Sequence, residues 1–74
     1  MVSACILVQY QSGRGRDVLK AVKKVKGVKR AFITFGRWDV VAEVEVPDLK
    51  TLGAIALKVN GLRGVRASET LVGL

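Results

Sequence analysis

Val25-Lys26-Gly27-Val28-Lys29 returns as Leu62-Arg63-Gly64-Val65-Arg66, 37 positions later in a chain of 74 residues. Each copy follows a segment with helical spacing. Each leads into a strand-like stretch that closes on glycine, Gly36 in the first half and Gly73 in the second. A strand–helix–strand unit repeated at half length specifies a split βαβ domain. The expected fold class is therefore α+β: a ferredoxin-like βαββαβ sandwich, with a four-stranded antiparallel sheet and two helices on one face.

Outward from the repeat, the elements follow by period. Met1 to Tyr10 reads as strand one, with Ala4, Ile6, Val8 and Tyr10 on one face and Cys5, Leu7 and Gln9 on the other. Both faces are largely apolar, which marks an interior strand. Gln11 to Gly15 is a turn. Helix one is expected from Arg14 or Arg16 to Lys26, with Val18, Ala21, Val22 and Val25 as its apolar stripe and Gly27 as its stop. Strand two spans Val28 to Phe35, and Gly36 to Asp39 form a tight connection. Strand three, Val40 to Val46, alternates Val40, Ala42, Val44 and Val46 against Val41, Glu43 and Glu45. Asp48 is the expected N-cap of helix two. Leu49, Leu52, Ile55, Ala56 and Val59 form its buried stripe, and Asn60-Gly61 ends it. Strand four runs from Val65 to the C-terminus, and Glu69 leaves its inward face unassigned.

Residues 1–74 make one domain. A chain this small buries only about 60% of its unfolded surface. Yet half its residues are apolar, and its one cysteine, Cys5, allows no internal disulfide. With both helices on one side, the other sheet face stays bare. It carries Cys5, Leu7, Phe32 and Val41, with Glu43 and Glu45 beside them. Such a patch calls for a partner, and a second copy about a two-fold axis is the simplest one. A homo-oligomer built on a dimer is expected, with those four residues at its interface. No apolar run approaches the roughly 18 residues that span a bilayer. The first residues lack the pattern of a secretion signal. A soluble, cytoplasmic protein without a membrane partner is expected.

Composition also narrows the chemistry. The chain has no histidine, the commonest general base and metal ligand, and nothing activates its single thiol. The carboxylates form no evident cleft pair. Ser12-Gly13-Arg14-Gly15-Arg16 lacks the Gly-Lys-Ser ending of a phosphate loop. No catalytic residue, metal site or cofactor is expected, and the chain does not read as an enzyme.

The net charge of +7 is concentrated. Between positions 14 and 30 stand Arg14, Arg16, Lys20, Lys23, Lys24, Lys26, Lys29 and Arg30 against Asp17 alone; elsewhere five basic residues balance five acidic ones. Arg16, Lys20, Lys23 and Lys24 lie opposite the valine stripe, as on an ordinary solvated face. The alternative is a surface for a nucleic acid or an acidic protein. The sheet lacks the exposed aromatics of an RNA-binding sheet, so direct reading of nucleic acid is not expected.

The junction of the halves, Thr34-Phe35-Gly36-Arg37-Trp38-Asp39-Val40-Val41, combines glycine, an aromatic and a carboxylate within one turn. Two roles fit it. Exposed amides could take a carboxylate while Asp39 takes an ammonium, which suits a zwitterion. Equally, Asp39 could bond only the turn backbone while Trp38 packs on a neighbouring subunit.

With Gly27-Val28, Gly36-x-Trp38-Asp39-Val40-Val41, Glu43 to Val46, Asp48-Leu49, Gly64-Val65 and Ser68-Glu69-Thr70, the chain resembles the effector domain of the Lrp/AsnC regulators, the RAM domain. The resemblance covers essentially the whole chain. Where the family usually shows Thr-Gly and a Tyr or Phe in the turn, Phe35 precedes Gly36 here and Trp38 is larger. The resemblance implies sheets paired face to face in dimers, and rings of dimers, octamers among them, with amino acids held in clefts between dimers. Carried over, Gly36, Arg37, Trp38 and Asp39 would line that cleft, with Thr34, Ser68 and Thr70 added from strands. Family regulators also carry a helix-turn-helix domain, whereas this chain opens on strand one, so it resembles the stand-alone members. A partnership with full-length Lrp/AsnC regulators, modulating transcription or amino-acid metabolism, is the implied role.

Overall fold

The four strands hydrogen-bond in the order β2-β3-β1-β4 in the computed structural model, which describes residues 1–73. The elements are β1 (Val2–Tyr10), α1 (Gly15–Lys23), β2 (Val28–Ile33), β3 (Val40–Val46), α2 (Leu49–Asn60) and β4 (Val65–Val72). All three pairings are antiparallel. This is the expected βαββαβ sandwich. The two strands buried on one face throughout, β1 and β3, are central, and the edges are β2 and β4.

The core lies between the sheet and the helices. Ile6 and Val8 of β1, Val40 and Ala42 of β3, and Val18, Val22 and Val59 of the helices have no exposed surface. Val25, Leu52 and Ile55 close it. Period 2 on the strands and period 3.6 on the helices aim these side chains into one layer.

The repeat is visible bond by bond. Val25 N–H donates to Val22 O and Val28 N–H to Val25 O; in the second half, Leu62 N–H donates to Val59 O and Val65 N–H to Leu62 O. Gly27 has φ +101° and Gly64 has φ +95°, the left-handed region that side chains resist. A Cβ on Gly27 would sit 2.6 Å from Ile55 Cδ1, and one on Gly64 would sit 3.0 Å from Val18 Cγ2. Each glycine makes room for the helix of the opposite half.

Several expected boundaries shift. α1 ends at Lys23, with Lys24 as its C-cap, so Gly27 shapes the turn into β2 and is not the helix stop. β2 ends at Ile33, and Phe35 lies outside it, fully exposed. Leu49 belongs to the exposed side of α2, not to its buried stripe. β4 ends at Val72, and Leu74 of the expected strand lies outside the described residues. The unassigned face of β4 has a physical cause: a bulge between Gln9 and Tyr10 pairs Tyr10 with Val65 but Gln9 with Ala67. The extra residue reverses the alternation. Val65 thus points to the helices, while Ala67, Glu69 and Leu71 point to the bare face.

Candidate functional site

The connection from β2 to β3 is tied down at every free end. Thr34 N–H donates to Asp39 O at 2.8 Å, and the Thr34 hydroxyl donates to Trp38 O at 2.7 Å. Asp39 N–H donates to Val8 O at 2.9 Å, and Gln9 Nε2 donates to Arg37 O at 2.7 Å. The Asp39 carboxylate accepts the Tyr10 N–H at 3.1 Å through Oδ2. Tyr10 shares the alternation of Val8, whose carbonyl faces the Asp39 side, so its N–H points at the turn past the last β1–β3 pair and the carboxylate anchors the end of β1. The bond of Asp39 to the turn is made by its carbonyl, not by its side chain, and the carboxylate thus bonds the backbone of β1. Its other oxygen forms no hydrogen bond among the described residues, and neither do the N–H groups of Gly36, Arg37 and Trp38. The turn thus presents three unbonded donors and half of a carboxylate. Gly36 and Arg37 are exposed, and Trp38 and Asp39 are half-buried.

The structure keeps Thr34 and Gly36 to Asp39 together and sets Ser68 and Thr70 apart. Those two stand opposite Val8 and Ile6 on β4, on the helix face of the sheet. The Ser68 hydroxyl bonds Asn60 Oδ1 at 2.9 Å, at the C-terminus of α2. Asp39, at the start of β3, is two strand spacings from β4, roughly 10 Å, and Thr34, at the end of β2, is three, roughly 14 Å. One protomer therefore does not close these residues around a single ligand.

The bare face is built as expected, and it extends onto β4. Residues directly opposite in antiparallel pairs share a face. One row is Phe32, Val41, Leu7 and Glu69; the next is Arg30, Glu43, Cys5 and Leu71. Cys5, Leu7 and Val41 are half-buried, and Phe32 is 40% exposed. Glu43 and Glu45 are not free acids: Arg30 pairs with Glu43 at 2.7 Å and Lys29 with Glu45 at 3.2 Å. A second bulge, between Val28 and Arg30, turns both cations to this side. The Arg30 guanidinium also lies 5.7 Å from the Phe32 ring centre. A groove of about 450 Å³ crosses the face between Ser3, Cys5, Glu43, Glu45 and Leu71. Sequence reasoning missed Glu69 and Leu71 because the bulge hides their phase.

Among the described residues no group of three or more His, Cys, Asp and Glu could hold a metal ion. Among the described residues no helix is long and apolar enough to cross a membrane.

The Lrp/AsnC ligand-binding domain matches residues 3–74. The chain belongs to that family. An HTH-type transcriptional regulator of Pyrococcus abyssi is 31% identical over 74 residues, covering 95% of this chain and 49% of the relative. The chain thus spans about half the length of the curated relatives it matches. A solved protein of Thermus thermophilus superposes with a TM-score of 0.95 at 25% identity, over 100% of this chain and 94% of that one. A transcriptional regulator of Neisseria meningitidis, solved as a complex with L-Met, shares the fold with a TM-score of 0.86 at 21% identity, over 99% of this chain and 49% of that one. This chain is thus of the ligand-binding domain kind found in Lrp/AsnC proteins.

Proposed function

We propose that this Lrp/AsnC domain binds an amino acid and assembles with itself, acting as an effector and oligomerisation module in the cytoplasm. The observation that carries the reading is the Gly36–Asp39 turn. Its three unbonded N–H groups suit a carboxylate, and the free oxygen of Asp39 suits an ammonium. The L-Met complex of the Neisseria regulator supports an amino acid as the class of ligand. The turn lies open on one protomer, so a closed cleft needs a second one. Ser68 and Thr70 would then reach the ligand from a neighbouring subunit. The bare face, with Cys5, Leu7, Phe32 and Val41 at its centre, supplies the dimer contact, and rings of such dimers bring turns and β4 strands together. Co-assembly with full-length Lrp/AsnC regulators would carry the signal to transcription or amino-acid metabolism.

Titration calorimetry with the twenty amino acids tests the ligand, and L-Met is the first probe. Heat with at least one of them is expected, and Asp39→Asn should weaken it by about tenfold or more, the loss of one charge-assisted contact. Silence from all twenty overturns effector binding. Sedimentation should report a multiple of the 8.0 kDa chain mass, reduced by Leu7→Asp. A wild-type monomer at working concentration overturns the assembly.

A further inference from the structure

The strongest unexplained charge on the molecule lies beside an open sheet edge. Arg16, Lys20, Lys23, Lys24 and Lys26 are exposed, and among the described residues none of them forms an ion pair. At the end of α1 this surface meets β2 in a groove of about 570 Å³ lined by Lys23, Val28, Lys29, Arg30, Ala31 and Phe32. Among the described residues, only β3 pairs with β2. The Thr34-to-Asp39 bond fixes the alternation: Phe32 and Arg30 bond toward β3, while Ala31 and Ile33 turn N–H and C=O outward.

We propose that the β2 edge takes up an extended acidic segment of another protein as a fifth strand, its backbone on Ala31 and Ile33 and its carboxylates on the cations of α1 and β2. Strand addition of this kind draws affinity from main-chain bonds and selectivity from alternate side chains. Successive residues of an added strand point to opposite faces. One set would meet Lys23, with Lys20 one turn behind it on α1. The other would meet Lys29 and Arg30, with Phe32 for an apolar neighbour. Both faces of the guest are therefore addressed by cations. The chain already uses this chemistry on the inner edge of β2, where alternate residues Glu43 and Glu45 of β3 satisfy Arg30 and Lys29.

The chain's own free edge is a poor guest. β4 reads Val65-Arg66-Ala67-Ser68-Glu69-Thr70-Leu71-Val72, one base and one acid without net charge. Duplex DNA would match the charge but would use neither the open backbone of β2 nor the apolar floor at Val28 and Phe32. An acidic strand uses all three features.

The test takes a fluorescent peptide Val-Glu-Glu-Val-Glu-Glu, which carries glutamate on both faces and is six residues long to match β2, with its valine–lysine counterpart and a short duplex DNA as controls. Fluorescence anisotropy should show saturable binding of the acidic peptide that weakens with salt. Amide NMR should show the Ala31 and Ile33 N–H signals shifting and gaining protection from exchange. Lys20→Glu with Lys23→Glu should weaken the peptide by at least about tenfold, because each reversal sets like charges together. Both positions are exposed, and circular dichroism verifies that the variant is folded. An unbound acidic peptide overturns the proposal. So does equal binding of the basic peptide, or binding that leaves Ala31 and Ile33 unmoved. DNA that outcompetes the peptide without touching those amides makes the surface a polyanion site and equally ends the strand-addition reading.

Discussion

In the first half of the repeat, α1 turns Arg16, Lys20 and Lys23 to solvent; in the second half, α2 turns Leu49, Gly53 and Leu57 outward. Leu49 is 63% exposed and Leu57 76%. Beneath these opposite surfaces the two halves are built alike. Val18, Val22 and Val25 face the sheet from α1 and its exit, as Ile55, Val59 and Leu62 do from α2. The features held in common between the halves are therefore those the fold needs, and the features that differ are the ones it leaves open for recognition. The turn from Thr34 to Asp39 joins the two halves, and it serves both ends: Asp39 anchors β1 while the N–H groups of Gly36, Arg37 and Trp38 are left open.

The sharpest way to break this equivalence is at the two glycines. Gly27→Ala should cost about 2–4 kcal/mol, from the positive φ and from a methyl driven against Ile55. Gly64→Ala should cost less, about 1–2 kcal/mol, because Val18 is shorter than Ile55 and stands further away. Urea midpoints measure both. Pairing Gly27→Ala with Ile55→Val should recover part of the loss, and simple additivity would show that the two sites do not press on one another. Equal costs for the two glycines would mean that the backbone conformation matters and the reciprocal helix contact does not.

Next in size is the turn that stands outside the repeat. Asp39→Ala leaves the Tyr10 N–H without its acceptor at a half-buried site, and about 1–2 kcal/mol should be lost. Asp39→Asn keeps an oxygen in place, so its stability should stay closer to that of the wild type. The two variants separate a carboxylate that holds β1 from one that also holds a ligand. If only anchoring matters, Asp39→Asn leaves calorimetric binding untouched.

Smaller still are the outer faces of the helices. Leu57→Lys should leave the urea midpoint within about 0.5 kcal/mol, since the residue is already largely exposed. A larger loss would show that a partner covers α2, and the contrast between a solvated α1 and an open α2 would then fail.

The repeat makes most of this fold legible in the chain itself. Its two glycines, the valine stripe of α1 and the clean alternation of β3 each obey one periodicity, and each lies where that periodicity puts it. The misreadings have local causes. β4 resisted because one bulged residue reverses its phase, which no pattern within the strand records. Leu49 follows the helical spacing of the core yet is the first residue of α2, where the helix leaves it exposed. The turn was legible as a concentration of unusual residues, but the acceptor role of Asp39 toward Tyr10 was not. That contact joins positions 29 apart in the chain, and no local pattern records it.

The last contrast lies at the helix starts. α2 has Asp48 in extended geometry, and its carboxylate accepts the Thr51 N–H at 2.8 Å. α1 begins after Arg14, whose side chain caps nothing. The Thr51 side chain and then its backbone N–H hold the Asp48 carboxyl below its usual range. A depressed folded pKa fixes the sign. The contribution of the cap is complete above the ordinary carboxylate pKa near 4 and fades as pH falls through the folded value. Asp48→Ala should therefore lower the melting temperature near neutral pH, and the gap to wild type should close on acidification. Asp48→Asn retains an acceptor without a titrating charge, so its own cap should persist into acid. Circular dichroism melts across that range compare the three proteins. A gap for Asp48→Ala that stays constant with pH would mean that the charge on Asp48 contributes nothing, and that its capping oxygen alone sets the start of α2 apart from that of α1.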